Sequence, residues 1–300
     1  MYVITGATGN TGSVVANTLI DQGQQVRVIG RSAERARSLT MRGAELFACD
    51  MADAGALTRA FTGAQGVYAM IPPDMRSDDY HGEQERMSNA IVSALRDAGV
   101  KYAVALSSFG ADKSDGTGPV AGLRSLEEKL NAIPDLNALY LRAGYFMENL
   151  LPQISVIRTM DFVAGPLRGD LKVPMIATRD IGAYAAERLR LLDFSSKQTR
   201  ELLGQRDISM NEAASIIGTA LGKPDLKYLQ LPDQQLRPAL MQMGMSADTT
   251  RLLLEMAAAL NSGHMRPLEP RSESNTTPTS FEEFVSEVFV PAYQGKLQAA

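Results

Sequence analysis

The chain has few of the residues that build metal centres and disulfide frameworks. Its 300 residues include no tryptophan, a single cysteine (Cys49) and two histidines, His81 and His264. A single cysteine cannot close an internal disulfide, and two histidines far apart in the chain do not form a metal-binding motif. We therefore predict a protein of a reducing compartment that holds no metal.

Charge and hydropathy argue against two further classes of protein. Acidic residues outnumber Lys and Arg by 34 to 30, which gives a net charge of −4 and a pI near 5.4. No run of basic residues offers an electropositive surface to a nucleic-acid backbone. The chain enters an apolar strand at Tyr2, with no room for a leader peptide, and it has no apolar run of membrane-spanning length. These features predict a cytoplasmic protein that binds neither nucleic acid nor a membrane.

The most informative stretch is a glycine-rich turn at the start of the chain. An apolar strand runs into Gly6, Gly9 and Gly12, and a helix follows from about residue 10 to residue 22. The three glycines suit a tight turn, a close approach of the backbone to a phosphate, and close packing of the helix. Free N–H groups at the start of a helix favour a bound anion. We predict a pyrophosphate site formed by Thr5, Gly6, Thr8, Gly9, Asn10, Thr11 and Gly12.

A second strand, residues 25–30, completes a βαβ unit and leads into Arg31. In dinucleotide-binding folds an acidic residue at this place binds the ribose 2′-hydroxyl of NAD, whereas arginine suits the 2′-phosphate of NADP. Arg31 therefore predicts NADP(H) as the cofactor. The alternative is a solvated arginine at the end of a strand.

Strands and helices go on alternating up to about residue 150. This alternation is typical of an α/β protein with a doubly wound, Rossmann-type parallel sheet, in which ligands bind at the carboxyl ends of the strands. Residues after the third, fourth and fifth strands are therefore further candidates for cofactor binding: Asp50, Met51, Ile71, Pro72 and Ser107. For Asp50 two roles stay open, contact with the adenine amino group or, like Asp53, capping of the next helix.

We divide the chain into an NAD(P)-binding domain, residues 1–150, and a smaller C-terminal α/β substrate lobe, residues 151–300. No linker separates the two parts, so we expect segments of the lobe to pack back on the first domain. The lobe contains apolar runs that predict short strands at residues 172–176, 199–203 and 226–230.

Three features predict helices in the lobe. Ser209 with Glu212, and Ser280 with Glu283, have the spacing of capping boxes. Residues 236–260 predict a helical stretch that is rich in methionine. Because methionine adapts its shape, this stretch is plain core, the floor of an apolar substrate pocket or a surface that accepts a partner helix.

Five segments together resemble one family. They are T-G-A-T-G-N-T-G at 5–12, the turn at Asp50, L-R-A-G-Y-F-M-E-N at 141–149, D-I-G at 180–182 and S-F-E-E-F at 280–284. Over nearly its whole length the chain resembles the NmrA-like group of atypical short-chain dehydrogenases. The resemblance implies an NAD(P)-binding domain with a smaller substrate lobe. It also implies one of two activities, NADPH-dependent reduction of quinones and similar compounds, or redox sensing without catalysis.

The chain departs from typical short-chain dehydrogenases at their catalytic pair. Those enzymes resemble one another in a serine after the fifth strand, which Ser107 or Ser108 matches, and in a Tyr-x-x-x-Lys motif on the next helix. None of the nine tyrosines here has lysine four positions on. The chain is then either a reductase of acceptors that need little acid help, or a binding protein whose cofactor state is read by a partner.

The two hypotheses predict different structures. A reductase needs an apolar substrate pocket, which we assign to Ser108, Tyr145, Phe146 and Asn149, without assigning a catalytic residue. A sensor needs a loop that changes order, for which residues 111–118 and 267–279 are the candidates. A small-molecule substrate is the expected partner of a reductase, and a homodimer or a regulatory protein partner is compatible with either hypothesis.

Overall fold

A computed structural model describes residues 1–296. The strands, in chain order, are β1 (Tyr2–Ile4), β2 (Val26–Ile29), β3 (Glu45–Phe47), β4 (Gly66–Ala69), β5 (Tyr102–Ser108), β6 (Asn137–Ala143), β7 (Tyr145–Phe146), β8 (Val163–Gly165), β9 (Val173–Ile176), β10 (Lys197–Leu202), β11 (Arg206–Ile208) and β12 (Tyr228–Gln230). The longer helices are α1 (Asn10–Asp21), α2 (Ala33–Met41), α3 (Ala54–Phe61), α4 (Tyr80–Asp97), α5 (Val120–Asn131), α6 (Gln153–Met160), α7 (Thr178–Leu191), α8 (Met210–Leu221), α9 (Asp233–Gln242) and α10 (Ala247–Asn261). The shorter helical pieces are a 3₁₀ turn (Met147–Leu150) and a C-terminal helix made of Phe281–Phe284, a π-helical turn (Val285–Phe289) and Val290–Tyr293.

Seven parallel strands form the central sheet, in the order β10-β6-β5-β4-β1-β2-β3. The strand order reverses between β1 and β4: from β1 the chain adds β2 and β3 on one side, and then β4, β5 and β6 on the other. In open α/β sheets the crevice outside the carboxyl ends of the strands at such a switch point is where ligands bind. The predicted doubly wound parallel sheet is confirmed, and it places the glycine turn after β1 at this crevice.

Apolar helix faces cover both sides of the sheet. On one side lie α1, α2 and α7, whose Leu19 and Ile181 are completely buried. On the other side lie α3, α4 and α5, where Phe61, Ile91 and Leu126 are buried. Full burial of side chains of this size stabilises by about 1.5–3 kcal/mol each. The two layers therefore hold the strand ends in fixed positions at the crevice.

Two segments that follow residue 150 are part of these layers. The strand predicted at 199–203 is β10, which pairs in parallel with β6 at the edge of the central sheet. Helix α7 packs on α1, where a Cβ at Gly182 would lie 2.8 Å from the Thr11 carbonyl oxygen. The sequence predicts this strand as part of the lobe, since its pairing with β6 joins residues that are distant in the chain and has no local signal. The division at residue 150 itself stays a prediction.

The rest of the second half has a core of its own. Small sheets β11-β9-β7 and β12-β8 pack there with α8, α10 and the C-terminal helix. Residues 236–260 are helical as expected and form two helices, α9 and α10, because Gly244 adopts a φ of +93° and Ser246 starts α10 by accepting a hydrogen bond from the Thr249 N–H. The serine halves of the two expected capping boxes form, since Ser209 and Ser280 each accept from the glutamate N–H three residues on. The carboxylates of Glu212 and Glu283 pair with arginines instead of returning to the serine N–H groups.

Candidate functional site

The three glycines of the turn after β1 have three different surroundings. Gly6 has a φ of +62°, in the region that favours glycine, and a Cβ there would lie 2.1 Å from the Met70 sulfur. A Cβ at Gly12 would lie 2.2 Å from the Gly6 carbonyl oxygen, so Gly12 lets α1 approach the turn itself. A Cβ at Gly9 would meet only the Gly6 carbonyl oxygen, at an ordinary 3.4 Å. The face of Gly9 is therefore open.

Helix α1 begins without a side-chain cap. Its N-cap is Gly9, whose own N–H donates to the Gly6 carbonyl oxygen over 3.0 Å. Among residues 1–296, no side chain accepts from the N–H groups of Asn10, Thr11 and Gly12. Six other helices have a serine or aspartate cap, at Ser32, Asp53, Asp79, Ser209, Ser246 and Ser280. The first turn of α1 thus presents unpaired donors and the positive end of the helix dipole at the switch point, an arrangement suited to a phosphate.

The two threonines at the ends of this turn are held inside the protein. The Thr5 hydroxyl lies 3.0 Å from the Tyr68 carbonyl oxygen and accepts from the Met70 N–H at 2.8 Å. The Thr11 hydroxyl accepts from the buried Tyr68 hydroxyl at 3.0 Å. These bonds tie the turn to the end of β4. The side chains of Thr8 and Asn10 are partly buried and exposed, respectively, and lie on the outer part of the turn.

Arg31 and Arg35, between the end of β2 and the first turn of α2, have side chains without a partner in the described part of the chain. Arg31 is exposed, and its guanidinium makes no hydrogen bond or ion pair within the described part of the chain. The same holds for Arg35, in the first turn of α2, where Ser32 caps the helix by accepting from the Arg35 N–H. Sequence reasoning missed Arg35, although its place one turn into the helix after Arg31 was visible. Two free cations at the end of β2 suit a phosphomonoester.

The candidate residues that follow β3 and β4 differ in how far they are buried. Asp50 is exposed, and its carboxylate accepts from the Ala52 N–H at 2.8 Å, whereas Asp53 is the residue that caps α3. Met51 is partly buried. Ile71 is buried, and Pro72 is partly buried at the start of the connection to α4. Capping of the next helix thus belongs to Asp53.

Ser107, at the end of β5, is part of a buried polar network. Its hydroxyl donates to the Glu127 carboxylate at 2.6 Å, and the same carboxylate accepts two bonds from the Arg142 guanidinium, at 3.0 and 2.6 Å. The pKa of Arg142 is raised, chiefly by its hydrogen bonds to Glu127. The network ties α5 to the ends of β5 and β6, and it leaves the Ser107 hydroxyl engaged with Glu127.

The four residues assigned to the substrate pocket do not share one face. Tyr145 and Phe146 alternate along β7, opposite Met175 and Ile176 of β9. Tyr145 packs against the core of the lobe, whereas Phe146 packs on the α1 side of the central sheet, in the same cluster as Met70. Ser108 donates to the Phe109 carbonyl oxygen, and Asn149 is exposed. Of these four residues, Tyr145 is the one whose side chain packs against the core of the lobe.

Glu148 shows why the 141–149 segment is distinctive. Its carboxylate accepts from the Thr178 N–H at 3.0 and 3.1 Å and from the Thr178 hydroxyl at 2.6 Å, at the start of α7. Burial raises its pKa and outweighs the opposing effect of these bonds. Glu148 therefore fixes the turn after β7 to the helix that packs on α1.

The described residues contain no group of three or more His, Cys, Asp and Glu side chains that could hold a metal ion. No helix within residues 1–296 is long and apolar enough to cross a bilayer. The candidate site consists of the unpaired backbone donors of α1, the exposed arginines Arg31 and Arg35, and partly buried apolar side chains after β3 and β4.

Fold and site together define a class of protein, the doubly wound α/β proteins with an open helix terminus at the switch point. The chain belongs to the NmrA-like family, whose profile matches residues 2–285. This confirms the resemblance seen in the sequence.

Individual relatives cover most of the chain. It is 29% identical over 262 residues to an NAD(P)H azoreductase of Xenophilus azovorans, with 86% of each chain covered. It is 30% identical over 245 residues to a (4-alkanoyl-5-oxo-2,5-dihydrofuran-3-yl)methyl phosphate reductase of Streptomyces griseus, with 80% of each covered.

Solved structures of similar fold include two reductases. An NADPH-dependent quinone oxidoreductase from Escherichia coli, complexed with NADPH, has a TM-score of 0.81 at 24% identity, covering 96% of this chain and 100% of that one. A triphenylmethane reductase from Citrobacter sp., complexed with NADP(H), has a TM-score of 0.79 at 20% identity, covering 96% and 99%.

Proposed function

We propose that this protein is an NADPH-dependent oxidoreductase of the NmrA-like type, which transfers hydride to a quinone or a similar small carbonyl or enone acceptor. The observation that carries the proposal is the uncapped start of α1 behind Gly9, at the switch point of the sheet. The family supports it, since relatives named as reductases cover four fifths or more of the chain. Fold neighbours that were solved with NADPH or NADP(H) support the cofactor.

The residues present fit a dinucleotide with a 2′-phosphate. The first turn of α1 would hold the pyrophosphate through its unpaired N–H groups, and the open face of Gly9 leaves room for it. Arg31 would hold the 2′-phosphate, and we add Arg35 as a second cation beside it. When bound, NADPH supplies the hydride. The nicotinamide half belongs over β4, β5 and β6, because each half of a doubly wound sheet binds one nucleotide.

The chain's own residues then bind and orient the acceptor. Ile71 and Pro72 would contribute apolar surface where β4 ends, and Tyr145, which packs against the lobe, would contribute a ring beside the end of β6. Ser107 has its hydroxyl bonded to Glu127 and is held back from the acceptor. A quinone suits such a site, because its reduced oxygen is stabilised by resonance and needs no strong acid beside it.

The sensor hypothesis finds less support, because both loops that would change order are held by the surrounding protein. His81 and His264 lie with their Nε2 atoms 3.2 and 3.0 Å from carbonyl oxygens of the 111–118 loop. In the 267–279 loop, the buried Glu201 carboxylate accepts from two backbone N–H groups at 2.8 to 3.0 Å. Segments with such bonds open at higher free-energy cost than frayed loops.

The test is oxidation of NADPH by the purified protein, with NADH in parallel, against quinones, aldehydes and enones at matched concentrations. We expect turnover above the protein-free rate with NADPH and a quinone. Thermal protection by NADPH, measured in the same samples, reports binding independently. Protection without turnover of any acceptor would favour the sensor, and the lack of both would contradict the proposal.

A further inference from the structure

The acceptor side of the crevice has three hydroxyls at the ends of β5 and β6, and two of them are engaged. Ser107 donates to Glu127 at 2.6 Å, and Ser108 donates to the Phe109 carbonyl oxygen at 3.0 Å. The third belongs to Tyr145, which is separated from β6 by Gly144 alone. The Tyr145 hydroxyl makes no hydrogen bond within residues 1–296, and it is not sealed from solvent. Of the three hydroxyls it is the one without a hydrogen-bond partner.

The surroundings of Tyr145 hold its ring and its backbone. Its ring packs against the lobe beside Tyr228, whose hydroxyl donates to the Leu167 carbonyl oxygen at 2.8 Å. Its backbone is held by the pairing of β7 with β9. Strand β6 lies two places from β4, roughly 10 Å across the sheet at the usual strand spacing. Tyr145 therefore stands beside the carboxyl end of β6, on the half of the sheet assigned to the nicotinamide, with its ring against the lobe.

Resting on the proposed function, we infer that the Tyr145 hydroxyl donates a hydrogen bond to the acceptor oxygen that becomes negative during reduction. The acceptor takes up hydride, that is two electrons and one proton, and its oxygen gains negative charge. A proton from solvent then completes the hydroquinone. Tyr145 keeps its own proton throughout and stabilises the charge as it develops.

The electrostatics of the site agree with a donor that does not ionise. Burial raises the pKa of Tyr145 to about 12. A phenol of this pKa remains protonated over the neutral range, so it can donate a hydrogen bond at every pH at which the enzyme would operate. Full transfer of its proton to the weaker base of a hydroquinone anion is unfavourable for the same reason.

The inference separates acceptors by their chemistry. Reduction of a naphthoquinone puts negative charge on oxygen, whereas hydride addition to the central carbon of a cationic triarylmethane dye neutralises a positive charge and needs no proton. We expect Tyr145→Phe to lower kcat for the naphthoquinone by about 10- to 100-fold, the effect of one lost donor to a developing charge. The same variant should reduce the dye at nearly the wild-type rate.

A readout without turnover and two controls complete the test. Binding of 4-nitrophenolate, followed by its absorbance, should weaken about fivefold in Tyr145→Phe, since one hydrogen bond to a charged oxygen is lost. Tyr228→Phe removes a neighbouring hydroxyl that is bonded to Leu167, and it should leave the quinone-to-dye ratio unchanged. Thermal unfolding of Tyr145→Phe should match the wild type, because the lost hydroxyl has no partner.

Three results decide the matter. Equal loss with both acceptors, or loss with neither, would overturn the role of Tyr145 while leaving a reductase. Wild-type binding of 4-nitrophenolate by Tyr145→Phe would overturn it as well. Failure of the unaltered protein to reduce any acceptor would instead count against the proposed function.

Discussion

Gly9 is the position at which we expect a substitution to weaken cofactor binding without changing the stability of the free protein. Its φ of −97° and ψ of −179° are open to any residue, and a Cβ would meet only the Gly6 carbonyl oxygen at 3.4 Å. The methyl group of Gly9→Ala would therefore fit the free protein and project into the space in front of α1. We expect unchanged stability without ligand and weakened binding of NADPH.

The size of the effect follows from the bonds at stake. If the methyl group displaces the phosphate from one backbone donor, the loss is about 1.5–3 kcal/mol, so the NADPH Kd rises about 10- to 100-fold. At an NADPH concentration of about 100 times the wild-type Kd, ligand binding stabilises the wild type by about 2.7 kcal/mol, and a tenfold weaker variant by about 1.4. At roughly 2 °C per kcal/mol, the increase in Tm falls from about 5 °C to about 3 °C or less.

Gly12→Ala is the matched control for this experiment. A Cβ at Gly12 would lie 2.2 Å from the Gly6 carbonyl oxygen and 2.7 Å from its carbon, so the turn must shift. Overpacking of this kind costs about 1–3 kcal/mol even without ligand. Thermal unfolding with and without NADPH, together with a direct titration, distinguishes the two variants. The reasoning is refuted if Gly9→Ala unfolds earlier than the wild type without ligand, or if it binds NADPH with wild-type affinity.

Three further predictions concern charged residues. Arg31→Asp should raise the Kd of NADPH at least tenfold, through loss of a charge-assisted bond and added repulsion, while changing that of NADH little; equal losses in parallel titrations would remove Arg31 from the 2′-phosphate site. Glu127→Ala should lower the free energy of unfolding in urea by about 3–5 kcal/mol, because it leaves the Arg142 guanidinium buried without its partner, and a loss below about 1 kcal/mol would contradict that view. Glu148→Ala should destabilise more at pH 5 than at pH 7.5: the folded-state pKa of Glu148 is raised, so its contribution is fully present below the unfolded pKa and is lost as the pH rises through the folded value. Urea unfolding at both pH values tests the sign, and a larger effect at pH 7.5 would show that the raised pKa is wrong.

Local signals in the sequence predicted most of the fold. The glycine turn, the serine caps and the alternation of strands with helices each depend on residues close together in the chain, and these elements form where they were expected. The place of β10 was not predictable in this way. Its partner β6 lies about sixty residues earlier in the chain, with Lys197 opposite Ala138. The six residues of β10 carry no local pattern that indicates which strand they pair with.

The polar side of the site was predictable in part. The position of Ser107 at the end of β5 was expected, but its hydrogen bond to Glu127 joins residues on two different elements, so spacing did not reveal it. Tyr145 and Phe146 were grouped as one pocket surface. In an extended pair, however, successive side chains point to opposite faces, and pairing with β9 makes this segment a strand.

Two buried carboxylates, Glu127 and Glu201, and the partly buried Glu148 each join the end of one element to another. Glu127 connects α5 with β5 and β6, Glu148 connects the turn after β7 with α7, and Glu201 connects β10 with the 267–279 loop. A buried carboxylate is costly unless its bonds are complete, so each of these contacts resists local opening. A wall held in this way favours preorganised binding of an acceptor over a change of order between cofactor states. A hydroxyl that stabilises charge on a reacting oxygen needs such a preorganised wall, and the pairing of β7 with β9 holds the backbone of Tyr145 in it.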